Sequence, residues 1–163
     1  MLIRLLVLAG FSLFAGCATA GELNRVLVER TPSPKGSAPA YTLDISGDGS
    51  VRYEGHGHVK VAGVAEGSIS AADWKLLELA VEGADFFAMQ DHYGSSSLGC
   101  TSTWNHHPTI NITVTRGGAT KRVSYYTGCW GLREGKLISW LADTADMVAD
   151  SGRWIHESFE DAL

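Results

Sequence analysis

The residues of this 163-residue chain whose types and spacing could do chemistry are a cysteine pair, two histidine pairs and a run of aspartates. Cys100 and Cys129 sit just outside one hairpin-like segment. In an oxidising compartment they would form a disulfide closing about 28 intervening residues, which contributes on the order of 3 kcal/mol through loop-closure entropy. Two alternatives stay open on sequence grounds: two free buried thiols, or a nucleophilic cysteine partnered by His106 or His107. His56-Gly-His58 and His106-His107 supply imidazoles that could hold zinc or copper, although no third ligand stands at a fixed offset. Asp44-Ile-Ser-Gly-Asp-Gly49 matches the first half of a calcium loop, but position 12 is Gly55 where a bidentate glutamate is needed, so a hairpin turn is the expectation. Asp143, Asp146 and Asp150 read as the solvated outer face of a helix.

The third cysteine belongs to different chemistry. Met1-Leu-Ile-Arg4 is a short basic start, and Leu5 to Phe14 is an apolar run too short to cross about 30 Å of hydrocarbon as a permanent helix. Phe14-Ala15-Gly16-Cys17 follows and resembles a lipobox, in which the sulfur takes a diacylglycerol before cleavage; Phe14 departs from the usual aliphatic residue. Residues 1–16 are therefore expected to be a lipoprotein signal peptide, Cys17 the lipidated residue and 17–24 a tether. The acyl chains would be the membrane contact, and Ala18 after the cysteine fits sorting to the outer membrane, facing the periplasm. Ala18-Thr19-Ala20 is a rival small-x-small site, and cleavage after it would release a soluble periplasmic protein. Beyond Arg4 the chain has 12 basic and 18 acidic side chains, an acidic balance that argues against nucleic acid as a partner.

These residues need elements to position them. Arg25–Glu29 reads as a first strand, and Thr31–Pro39, with three prolines and a glycine, as a loop. Tyr41, Leu43 and Ile45 alternate with polar residues, Gly47-Asp48-Gly49 turns the chain, and Val51 and Tyr53 alternate in turn; Val59 and Val61 suggest one more strand of a meander. Ser70-Ala-Ala-Asp73 has the form of a capping box opening a helix whose apolar stripe is Trp74, Leu77 and Val81. Residues 90–108 form a long polar connection, either functional or cross-braced. Ile110, Ile112 and Val114, a Gly117-Gly118 turn, then Val123 and Tyr125 make a second hairpin. Leu137, Trp140, Leu141, Ala145 and Val148 follow at helical spacing. Arg153-Trp-Ile155 reads as an extended tail with Trp154 packed. The expectation is an α+β fold, a single domain over 25–155 with a tail at 156–163. An antiparallel sheet, N-terminal meander plus C-terminal hairpin, would carry two helices on one face.

Glu29-Arg-Thr-Pro32, Tyr41, Gly47-Asp-Gly49, Val51-x-Tyr53-x-Gly55, Phe86-Phe87, Tyr93 and Trp154 together resemble a bacterial domain family of unknown function, over about residues 25–155. The resemblance implies a fold and supplies no catalytic residues. Many members carry cysteines between Pro32 and Tyr41, where this chain has Ser33 and none. No nucleophile elbow, phosphate-cradling loop or dinucleotide fingerprint is present, and no cofactor is expected. The functional expectation is an exported binding or interaction module for an envelope protein or small ligand, not an enzyme. The alternative is a small periplasmic metal-binding protein or enzyme built on the 90–108 loop, with His92, His106, His107, His56 and His58.

Overall fold

The period-2 alternation of the strands fixes which face of the sheet is dry. In the computed structural model, which describes residues 21–94 and 99–156, the rows Val26–Val28, Leu43–Ile45, Val51–Tyr53 and Ile112–Val114 are all buried on one side. Residues of the other face form ion pairs, across strands between Arg25 and Asp44 at 2.6 Å and between Arg122 and Glu29, and along one strand between Arg52 and Glu54 at 2.8 Å. One face makes the core and the other meets water, as the alternation requires.

Strands β1 (Leu23–Thr31), β2 (Ala40–Ser46), β3 (Ser50–Gly57) and β4 (Gly63–Ser68) form an antiparallel meander. β7 (Thr109–Arg116) and β8 (Ala119–Tyr126) form the second hairpin, and β7 adds antiparallel to β1. The two-residue β5 (His92–Tyr93) joins β8 in parallel, giving the order β4-β3-β2-β1-β7-β8-β5. β6 (Ser102–Thr103) and β9 (Cys129–Trp130) make a separate two-stranded ribbon. The fold is α+β, as expected.

Helix α1 (Ala71–Gly83) starts at the expected capping box: Ser70 Oγ accepts from the Asp73 amide at 3.1 Å, while the Asp73 carboxylate accepts from the Ser70 amide. Trp74, Leu77, Ala80 and Val81 are its buried stripe. Helix α2 (Arg133–Val148) packs against α1 and lies across β7, β1 and β2. Its buried stripe is Ile138, Leu141, Ala142 and Ala145, one step round from the expected one, so Trp140 is half exposed.

Three expectations are corrected. The strand after β3 is Gly63–Ser68, not Val59–Val61; that strap instead bonds to the C-terminal segment, Lys60 N to Ile155 O at 3.1 Å and Val61 N to Trp154 O at 2.9 Å. It crosses so close to β3 that a Cβ at Gly55 would stand 2.1 Å from the Val61 carbonyl oxygen, which only glycine permits. Residues 153–155 belong to a short helical turn, α3 (Gly152–Ile155), although Trp154 is buried as expected, its ring 5.2 Å from Tyr53. The first strand begins at Leu23, which is fully buried, so the ordered fold takes in the last two residues of the expected tether.

Candidate functional site

The alternation that buries Val26 and Val28 puts Arg30 in the same row, at the end of β1. A guanidinium facing a core must find anions, and α2 delivers them. Arg30 Nη2 donates to Asp143 Oδ1 at 2.7 Å and to Asp146 Oδ2 at 2.8 Å, with Nε reaching the same Asp146 oxygen at 3.2 Å. Tyr41, paired with Arg30 across β1 and β2, donates its hydroxyl to Asp146 Oδ2 at 2.7 Å, and Ser151 Oγ donates to Asp146 Oδ1 at 2.7 Å. The Asp146 carboxylate thus collects four donations from three residues, two of them, Arg30 and Tyr41, from the far end of the sequence and one, Ser151, from just beyond α2.

Burial, reinforced by the neighbouring Asp146 carboxylate, pushes the Tyr41 phenol far above its ordinary value. Burial opposes the charge of Arg30, but the negative groups around it, Asp146 and Asp143 among them, outweigh that and raise its pKa further. Arg30 therefore stays a cation and Tyr41 a neutral phenol across the physiological range.

A cavity of about 660 Å³ opens over this cluster. Ala38 and Pro39 before β2, Pro108 and Ile110 at β7, Met147 on α2 and Ile155 on α3 give it apolar walls, while Asp150 and His156 stand among its lining. The loop wall is braced by a hydrogen bond from Ser33 Oγ to the His106 carbonyl, and Thr127 Oγ1 donates to the Pro108 carbonyl at 2.9 Å. The volume is that of a small-molecule site, with a few polar groups set in apolar surroundings.

Sequence reasoning placed Asp143, Asp146 and Asp150 together on a solvated face. Asp143 and Asp150 are indeed exposed, but Asp146 is four-fifths covered and is the hub of the cluster. The available signal was Arg30: a charged residue in phase with Val26 and Val28 must be partnered.

The histidines do not converge. His56 is near the end of β3, its Nε2 2.9 Å from Thr42 Oγ1; His58 follows that strand; and His106 and His107 precede β7, with the His107 amide donating to Tyr126 Oη at 3.2 Å. β3 and β7 are separated by β2 and β1, about 14 Å at ordinary strand spacing. Among the described residues no three His, Cys, Asp or Glu side chains are grouped to hold a metal ion. Asp44, Ser46 and Asp48 belong to the β2–β3 hairpin, where Asp48 Oδ1 accepts from the Ser50 amide and hydroxyl.

Cys100 and Cys129 are joined in a disulfide with a Cα separation of 5.2 Å, which ties the 90–108 connection to the segment after β8. Cys17 lies outside the described residues. No helix among the described residues is long and apolar enough to cross a membrane.

Sheet, helix pair and end-of-sheet cavity define an α+β domain that carries a pocket at the end of its sheet where β1 finishes. The chain belongs to a family described as Domain of unknown function (DUF6438), whose sequence profile matches residues 24–147. That span takes in Arg30, Tyr41, Asp143 and Asp146, as well as the disulfide. No curated protein matches the sequence.

Proposed function

We propose that the protein is an exported, lipid-anchored envelope module that binds a small amphipathic ligand in the cavity over Arg30, Tyr41 and Asp146, without transforming it. The observation that carries the reading is the cavity's composition. Its walls are apolar, and the charged groups at its base are spent on one another. Within the cluster Tyr41 is held neutral by burial and Asp146 is occupied by Arg30, Tyr41 and Ser151, so neither is offered to a ligand as a proton carrier, and His156 stands in the lining outside this network. The lining holds three aspartates against one arginine, so an apolar body with a cationic end suits it best. Export and anchoring rest on the basic start, the short apolar run and Cys17.

The binding half is tested with octylamine, octanol and octanoate, titrated against the full-length protein by NMR at the Met147 methyl. Affinity should fall in that order. A Gly152→Phe variant, whose added side chain enters open space at the cavity, should abolish the shifts. Equal affinity for all three, or binding untouched by Gly152→Phe, refutes the assignment. The anchoring half is tested by intact mass and cell fractionation beside Cys17→Ser. Loss of an acyl mass increment and of membrane association is expected; a mature N-terminus at Gly21 would overturn it.

A further inference from the structure

Away from the cavity the molecule exposes two indoles on the disulfide-braced ribbon. Trp104 is 61% and Trp130 57% exposed, although tryptophan ordinarily buries most of its surface. The ribbon's register puts them on one face. Ser102 pairs with Trp130 and Thr103 with Cys129, and the Trp104 amide bonds the Gly128 carbonyl at 2.9 Å, continuing the ladder. Cys129 is fully buried, so its neighbour Trp130 points outward. Trp104, two residues beyond Trp130's partner Ser102, shares that outward face as the diagonal neighbour, about 7 Å away. The Cys100–Cys129 disulfide holds both strands, so the pair is a pre-set surface.

The surroundings say what this surface suits. Residues 99–105 and 127–132 contain no Asp, Glu, Lys, Arg or His in a chain that is 19% charged. They carry hydroxyls and an amide instead: Ser102 and Asn105, with the Thr101 and Thr127 hydroxyls, which already donate to the Trp130 and Pro108 carbonyls, offering their lone pairs. Beside Trp104 an alcove of about 300 Å³ is lined by His92, Gly94, Asn105, Thr109 and Tyr126. A peptide or phosphate ligand would call for countercharges, and a membrane surface for flanking lysine or arginine. A partner with flat apolar faces edged by uncharged hydroxyls matches both the indoles and their setting. Pyranose rings have that chemistry.

We infer that Trp104 and Trp130 form a binding platform for an uncharged glycan chain, each indole stacking on a sugar ring while the neighbouring hydroxyls and the Asn105 amide meet the sugar's hydroxyls. This platform is distinct from the cavity over Arg30 and stands whether or not that cavity binds a ligand.

The test uses the full-length protein in a sugar-free zwitterionic detergent, titrated with cellotetraose and with chitotetraose, followed by intrinsic fluorescence and calorimetry. At least one glycan should bind saturably. Trp104→Ala and Trp130→Ala should each weaken it about tenfold, as loss of one aromatic stacking contact implies, while Trp140→Ala, on α2, should leave it unchanged. Should an alanine variant fail to fold, the corresponding tyrosine variant is expected to fold and bind more weakly than wild type. No binding to either glycan overturns the inference. So does binding that survives Trp104→Ala with Trp130→Ala. Self-association, or adsorption to phosphatidylcholine vesicles, that the double variant abolishes in place of glycan binding would assign the surface to a second copy or to lipid, and overturns it equally.

Discussion

The two ends of the sheet are built differently. At the end where β1 begins, strands are joined by minimal turns, Gly47-Asp48-Gly49 and Gly117-Gly118, and backbone bonds close the gap: Gly47 N to Asn24 O at 2.8 Å and Gly117 N to Glu22 O at 2.9 Å. Gly117 has φ of +55°, and a Cβ there would stand 2.9 Å from the Cα of Gly21, so the chain's entry and this turn fit only as glycines. At the opposite end lie residues 32–39, the 90–108 connection, the ribbon, the ion cluster and the cavity. The plain end is held by main-chain geometry. The elaborate end is held by side chains from far-apart segments and by a disulfide, and such construction leaves room for function.

The difference can be broken most severely at the disulfide. Replacing Cys100 and Cys129 together by alanine should cost about 3 kcal/mol in urea denaturation, because the unfolded chain regains the freedom of the closed loop. Hydrogen exchange should then speed up at Ser102 to Trp104 while the Gly117 amide keeps its protection; uniform loss at both ends would mean that the ends are not independent.

The cluster comes next. Asp146→Ala leaves Arg30 with Asp143 alone and frees the Tyr41 and Ser151 hydroxyls from their acceptor, and about 2 kcal/mol of stability should be lost in the same assay. An effect within a few tenths of wild type would show that the cluster is ornamental. The smallest effect is one of pH. A phenol whose folded pKa is raised contributes stability that is fully present below the unfolded tyrosine value near 10 and is lost as pH rises above it. Stability should decline above pH 10, with Tyr53 and Tyr125, also raised by burial, sharing the effect. Tyr41→Phe should make that slope shallower by up to about 1.4 kcal/mol per pH unit, one proton's worth. An unchanged slope would mean that Tyr41 ionises freely in the folded protein.

The plain end was legible in the sequence and the elaborate end only in pieces. Alternation around Gly47-Asp48-Gly49 and Gly117-Gly118 specified both hairpins, and Ser70 with Asp73 specified the start of α1. The cysteine pair pointed to the brace of the 90–108 connection. The cluster is not legible in the sequence because Asp146 sits on the flank of the α2 stripe, where a carboxylate reads as solvated unless its partner is known, and that partner is 116 residues away. Trp140 has the apolarity and spacing of a stripe residue, yet the helix turns its buried face toward Ile138, Ala142 and Ala145. Val59 and Val61 have strand composition, but the strand register passes to Gly63 because the strap finds its backbone partners at Trp154 and Ile155. Tertiary pairing overrode local preference there.

The direction of β1 has a bearing on reach. The stretch from Leu23 to Arg30 carries the chain about 23 Å from the plain end to the cluster. With the acyl anchor proposed at Cys17, the five residues before Leu23 could extend at most about 20 Å, so the plain end would stand next to the bilayer as a pedestal. The cavity and the indole pair would then look outward from the lipid, sampling the space beyond it at the height of one domain.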